Sequence, residues 1–216
     1  MYEPALFRIE DKGELIAFVR ANPLGLVIAA GAEGTSADLI PFIVDDDGVA
    51  LRAHFARANP LSQTLASPQR VLVVFMGPQT YVSPGYYPSK AEHGRVVPTW
   101  NYAMVQAAGT ASLRDEPDWI AAQLADLTAQ QEVERPAPWA PSDAPKDFLA
   151  AQLRAITGLE IVIDDLRGKY KLSQNRNERD RLGVMAGLCR EAAPEAQAVA
   201  AMMRAKLQTD GPEAHS

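Results

Sequence analysis

Only one cysteine, Cys189, stands in this 216-residue chain. No disulfide can form within it, and a reducing compartment is expected, the cytoplasm by default. Histidine is scarce as well. His54, His93 and His215 lie far apart, with no HExxH and no cysteine pair, which argues against a dedicated zinc site. No apolar run approaches the roughly 18 residues that cross a bilayer. The start, MYEPALFRIEDKGE, carries Glu3 and lacks a cationic-then-apolar arrangement, so neither a membrane span nor a secretory signal is expected. There is no GxGxxG and no GxSxG elbow. Gly168-Lys169 has neither the earlier glycine nor the following Ser or Thr of a P-loop. Positive charge is also short. The net charge of −6 disfavours a general affinity for nucleic acid, and no helix-turn-helix is readable, so direct DNA contact has little support in the sequence.

The cations that exist are unevenly spread. From Arg167 to Arg181 there are six (Arg167, Lys169, Lys171, Arg176, Arg179, Arg181) against Glu178 and Asp180. Such a stretch can serve a phosphate or an anionic partner, or it can be a solvated strand end and helix start. With 47% hydrophobic and 22% charged residues the chain reads as globular, long enough for one domain with appendages.

Periodicity supplies the outline. Residues Asp11 to Asn22 predict a helix, with Leu15, Phe18 and Val19 at i, i+3, i+4 and Asn22-Pro23 as its stop. LGLVIAA predicts a strand over Leu24 to Ala30. Ala37 to Val44 and Val49 to His54 predict two more, joined by a hairpin at DDDG, where Asp45 to Asp47 form a tip rather than a paired-carboxylate site. Asn59-Pro60 opens a short helix carrying Leu61 and Leu65. Arg70 to Gly77 and Thr80 to Pro84 predict separate strands, followed by a Pro-, Gly- and Tyr-rich loop. Trp100 to Arg114 predicts a long strand with Gly109 as a bulge or close-approach point. Helices are expected over Glu116 to Gln131 and about Lys146 to Thr157, around the connector RPAPWAPSDAP. GLEIVIDDL predicts one more strand, and alanine-rich helices follow over about Asn177 to Glu191 and Pro194 to Leu207. Residues after Gln208 are expected to be disordered. Without regular βαβ alternation, this order predicts a mainly antiparallel α+β fold, a closed or split barrel.

Four segments place polar and aromatic residues at strand ends. AHFARANP sets His54, Arg57 and Asn59 where a strand gives way to a Pro-started helix. Arg57 can grip a phosphate with two donors, or it can be merely exposed while Asn59 caps the helix. YVSPGYYPSK and VPTWNY gather Tyr81, Tyr86, Tyr87, Trp100, Asn101 and Tyr102, which can cover a planar ring or simply pack. GKYKLSQNR ends a strand in Lys169, Lys171, Ser173, Gln174 and Asn175, donors enough for a phosphate or a flavin edge.

MYEPALF, HFARANP, YVSP-YYPSK, VPTWNY and GKYKLSQN stand in the order and spacing of the PaiB family, over residues 1 to about 185, and on these strings the chain resembles that family. The resemblance implies an FMN-binding split β-barrel related to pyridoxamine-phosphate oxidase, working as a homodimer in negative transcriptional regulation. It implies a barrel domain over 1–172 with a helical insertion at about 116–157, and a C-terminal helical extension over 173–216. On the related oxidase pattern, Arg52 to Asn59 would hold the FMN phosphate and ribityl chain, with His54, Arg57 and Asn59 as contacts. Trp100, Asn101 and Tyr102 would approach the ring, and Lys171, Ser173 and Gln174 would complete the pocket. The chain departs from the family pattern at Gly85-Tyr86, where Ser-Trp is expected, and at Gln106 and Gln131, where histidine is expected. An FMN-dependent oxidoreductase of the same class is the alternative, although no acid, base or nucleophile stands out for it. A haem-binding split barrel using His54 is a third reading.

Overall fold

A computed structural model describes residues 1–32 and 34–209. The expected disorder after Gln208 concerns residues that, beyond Thr209, lie outside this range. In chain order the elements are β1 (Arg8–Ile9), α1 (Lys12–Ala21), β2 (Leu24–Gly31), β3 (Gly34–Val44), β4 (Ala50–Ala56), α2 (Leu61–Thr64), β5 (Gln69–Val82), α3 (Lys90–His93), β6 (Thr99–Arg114), α4 (Pro117–Glu132), α5 (Lys146–Arg154), β7 (Ile156–Lys171), α6 (Glu178–Cys189) and α7 (Pro194–Thr209). Short 3-10 turns sit at Ala5–Phe7, Pro84–Tyr86 and Pro141–Asp143.

The strands form a seven-stranded sheet in the order β1-β7-β4-β3-β2-β5-β6, and β6 also pairs with β7. The order therefore returns on itself from β7 through β4, β3, β2, β5 and β6, which is the connectivity of a barrel with β1 added at β7. Every pairing with a defined register is antiparallel. This is the α+β split β-barrel that the sequence predicts. Two expectations change. The strands at Arg70 to Gly77 and Thr80 to Pro84 are one continuous β5, because the fixed φ of Pro78 lies within the extended region and interrupts a ladder without ending a strand. The helix expected to reach Thr157 stops at Arg154, because Ile156 and Thr157 pair with Ala56 and Phe55 as the start of β7.

The chain clusters into two compact units, each discontinuous in sequence. One, here the strand unit, comprises Asp11–Phe75 and Val105–Arg167. Its core is the alternate residues of the strands: Val27, Phe42, Leu51, Val73, Phe75, Val105, Leu159 and Ile161 are almost completely buried. Phe42 and Phe75 meet edge to face with centroids 5.8 Å apart, and Gly25 leaves them room, since a Cβ there would press on both rings. Gly109 is a close-approach point: a Cβ would overlap the carbonyl oxygen of Val162 on the neighbouring β7. Gly48, at φ 63°, closes the β3–β4 hairpin, and its amide donates to the Asp45 carbonyl.

The other, here the terminal unit, comprises Met1–Glu10, Met76–Met104 and the chain from Gly168 onward. In it α6 packs on α7, and Val184 and Leu188 of α6 and Ala196, Val199 and Met203 of α7 are buried. Gly183 and Gly187 on α6 admit the Pro84–Tyr86 turn, because a Cβ at either would overlap the Tyr86 backbone or ring. Asp180 locks the same loop. Its carboxylate accepts from the Ser89 amide at 3.1 Å and the Ser89 hydroxyl at 2.7 Å, and all of these groups are buried.

Candidate functional site

The residues singled out from the sequence fall into both units, His54, Arg57 and Asn59 in the strand unit and the other six in the terminal unit. Each group is built locally.

In the strand unit, strand alternation points Arg52 and His54 to the same face of β4, and α4 covers that face. The Arg52 guanidinium donates to Asp45 at 2.9 Å and to Asp126 of α4 at 2.8 Å. His54 Nδ1 lies 2.6 Å from Oε1 of Gln123, which is fully buried on α4. Just past β4 the chain turns. Arg57 reaches Asp115 with one nitrogen at 2.9 Å and the Ile156 carbonyl with another at 2.9 Å. Both charged side chains of this pair are open to solvent, 48% and 62% exposed. The Thr157 hydroxyl, donating at 2.8 Å, is the main reason the Asp115 carboxyl lies below its usual range; partial burial opposes it and Arg57 adds to it. Asn59 is engaged at both ends, its oxygen accepting from the Leu61 amide at 2.9 Å and its nitrogen donating to Asp38 at 3.0 Å. That is the capping role at the start of α2.

In the terminal unit, alternation along β6 sends Trp100 and Tyr102 one way and Asn101 the other. Trp100 is 54% exposed and meets Tyr81 edge-on at 6.2 Å. Asn101 is completely buried. It exchanges hydrogen bonds with the Ser173 hydroxyl at 3.0 and 3.1 Å, and its nitrogen also lies 3.6 Å from the Met203 sulfur. Ser173 itself is buried at φ 67°, and Gln174 braces that turn by accepting from the Leu172 amide and donating to the Tyr170 carbonyl, both at 2.6 Å. Asn101, Ser173 and Gln174 are thus brought together as a buried brace.

Lys171 is different. Its ammonium donates to Thr99 Oγ1 and to the Trp100 carbonyl, both at 2.5 Å, and to no carboxylate. Burial is the main influence pushing it below the usual lysine range, with the charges of Lys169 and Arg176 adding to the effect. Lys169 is only 7% exposed. Its ammonium sits between the Tyr2 and Tyr102 rings, 5.5 and 5.4 Å from their centroids, and donates to the Tyr2 carbonyl at 3.1 Å. Arg176 stacks 4.9 Å over the ring of Tyr87, whose buried hydroxyl has no hydrogen-bond partner among the described residues. Among the described residues none of these three cations is in an ion pair, whereas Arg179 of the same basic stretch pairs with Glu92 and Arg167 with Asp165.

Gln123, Asp115 and Asp126 escaped the sequence reading. Gln123 and Asp126 recur at helical spacing on α4, yet nothing local says which strand that face meets. Tyr2 and Tyr87 carried a weak signal, as tyrosines inside motif strings.

A family described as "Putative FMN-binding domain" matches residues 1–165. "Protease synthase and sporulation protein PAI 2" of Bacillus subtilis is 34% identical over 210 residues, which cover 96% of this chain and 99% of that one. Two solved structures share the fold. The flavocytochrome Anf3 of Azotobacter vinelandii has a TM-score of 0.58 at 17% identity, covering 82% of this chain and 75% of its own. The FAD and haem binding protein of Mycobacterium smegmatis has a TM-score of 0.58 at 18% identity, covering 81% and 78%.

Proposed function

Since the chain belongs to the PaiB family of FMN-binding proteins, with FMN as its cofactor, we propose that it is a homodimeric flavin-binding regulatory protein that grips the FMN phosphate through Arg57. The observation that carries this reading is the state of Arg57. Its guanidinium presents a planar fork at the end of β4, and its partners are one exposed carboxylate and one backbone carbonyl. An exposed ion pair is worth at most about 1 kcal/mol. A phosphate, which takes two charge-assisted bonds from the fork, outcompetes Asp115 for it. The donor set therefore fits the group. When bound, FMN would supply a redox-active ring.

The regulatory half of the reading is supported by the name of the Bacillus relative, which refers to protease synthase and sporulation. Among the described residues no helix is long and apolar enough to cross a membrane, which is compatible with such a role.

The absorption spectrum of purified protein tests the cofactor, and flavin bands that persist through gel filtration after FMN is added are the expected result. A Soret band instead would move the assignment to haem and His54. Light scattering is expected to give twice the chain mass. A monomer at micromolar concentration, with and without FMN, would refute the dimer. Unchanged transcript levels in a strain lacking the protein, across growth phases, would refute the regulatory role.

A further inference from the structure

We infer that Lys169, Lys171 and Arg176 form a second anion site, for a small phosphate-bearing ligand other than FMN. This rests on the reading that the FMN phosphate takes Arg57.

Three observations point to it. First, cations of like sign repel, and a protein places them together only when something offsets the cost. Elsewhere in the chain the offset is visible: Arg52 has two carboxylates, and Arg57, Arg114 and Arg179 have one each. Lys169, Lys171 and Arg176 have none within salt-bridge distance among the described residues. Asp180 is within electrostatic reach of Arg176, but its oxygens are taken up by Ser89 and Asn177. Second, Lys169 is almost wholly buried and, among the described residues, has no counter-ion: a backbone carbonyl and two tyrosine faces hold it. A buried ammonium is strongly disfavoured unless compensated, and ring faces compensate only in part. Third, the buried hydroxyl of Tyr87, whose ring Arg176 stacks on, has no partner among the described residues, and an unmade buried hydrogen bond calls for an acceptor or donor that those residues do not supply.

The donors say what would fit. Two ammonium groups and one guanidinium, with a phenol beside them, suit an oxyanion carrying two negative charges and several acceptor oxygens. The tyrosines at Tyr2, Tyr87 and Tyr102 and the exposed Trp100 favour a phosphate attached to an apolar or planar body over the bare ion. Lys171 keeps its position through Thr99 and the Trp100 carbonyl, so it is held in place before any ligand arrives.

The test uses the full chain, with inorganic phosphate and phenyl phosphate as probes, followed by titration calorimetry on protein first saturated with FMN. Both probes are expected to bind, phenyl phosphate more tightly. Removing one charged partner of a phosphate weakens binding about ten- to hundredfold, so Lys171→Met and Arg176→Gln should each do so. Arg95→Ala, an exposed loop residue outside both sites, should not. FMN affinity measured on the same variants separates this inference from the one on which it rests. If Arg57→Ala leaves FMN unaffected while Lys171→Met weakens FMN and not riboflavin, the cluster is the cofactor's own phosphate site and the inference fails. It also fails if FMN-saturated wild type binds neither probe, or if Lys171→Met and Arg176→Gln, with unaltered circular dichroism and melting, bind phenyl phosphate as wild type does.

Discussion

Replacing Arg57 by alanine separates the phosphate of FMN from the rest of the cofactor. In the folded protein the guanidinium donates to Asp115 and to the Ile156 carbonyl, and both ends of the ion pair are exposed. Releasing that pair costs at most about 1 kcal/mol. A charge-assisted contact with phosphate contributes about 1.5–3 kcal/mol. The difference, about 0.5–2 kcal/mol when the pair is worth its full ~1 kcal/mol, predicts that Arg57→Ala weakens FMN roughly two- to thirtyfold. Riboflavin has the same ring and ribityl chain but no phosphate, and its affinity should change less than about twofold on the same scale. The companion change Asp115→Asn removes the competitor while keeping an acceptor for the Thr157 hydroxyl, and FMN should tighten by up to about fivefold. Quenching of flavin fluorescence during titration reads each of these affinities. Equal losses for FMN and riboflavin in Arg57→Ala would refute the reasoning, as would FMN binding left unchanged by that variant.

Gly109→Ala forces a Cβ into the carbonyl oxygen of Val162, where only a shift of two strands could relieve it, so unfolding in urea should show a loss of at least about 2 kcal/mol. A loss under about 0.5 kcal/mol would mean that β6 and β7 are not this close. Asp180→Ala leaves the buried amide and hydroxyl of Ser89 without an acceptor, removes the acceptor of the Asn177 side-chain nitrogen, and should cost about 1–3 kcal/mol in the same assay. Burial alone would push the Asp180 carboxyl up, but the bonds from Ser89 and Asn177 and the charge of Arg176 outweigh it and leave it below the usual 3.8. A carboxyl depressed in the folded state contributes stability that is present above 3.8 and is lost as pH falls through and below that value. Asp115 is shifted the same way. Stability should therefore fall between pH 5 and pH 3, and fall less steeply in Asp180→Asn; parallel curves for the two proteins would contradict the assignment.

Much of the fold was open to reading because the signals are local. Asp11 caps α1 through the Glu14 amide, Asn22 ends it on the Phe18 carbonyl, and Gly48 supplies the positive φ at the hairpin, each within four residues of its partner. The two misplaced boundaries have different causes. Gly77-Pro78 looks like a turn, but the φ of Pro78 is compatible with an extended chain and β5 runs on. Ile156-Thr157 looks like the end of a helix, but pairing with Ala56 and Phe55, far away in sequence, decided the matter. The functional segments were legible as strings, while the division of labour within them was not. Asn101 stands between Trp100 and Tyr102 in the sequence, yet strand alternation buries it against Ser173, and Asn59 is committed to a cap and to Asp38.

By itself, then, the amino-acid order determined the strands, hairpins, caps and family, because side-chain alternation and turn geometry depend only on near neighbours. Which charges are neutralised was decided by tertiary structure alone. Arg57 meets Asp115, and Arg52 meets Asp126, only because the chain comes back onto β4 just before α4 and on α4 itself, 58 and 74 residues later. Lys169, Lys171 and Arg176 lie in a stretch that holds carboxylates of its own, but Glu178 is exposed at the start of α6 and Asp180 is turned to Ser89. Ion pairing falls off within a few ångströms, whereas separation along the chain says little about distance in space, so a cation without a counter-charge becomes visible only once the chain has folded.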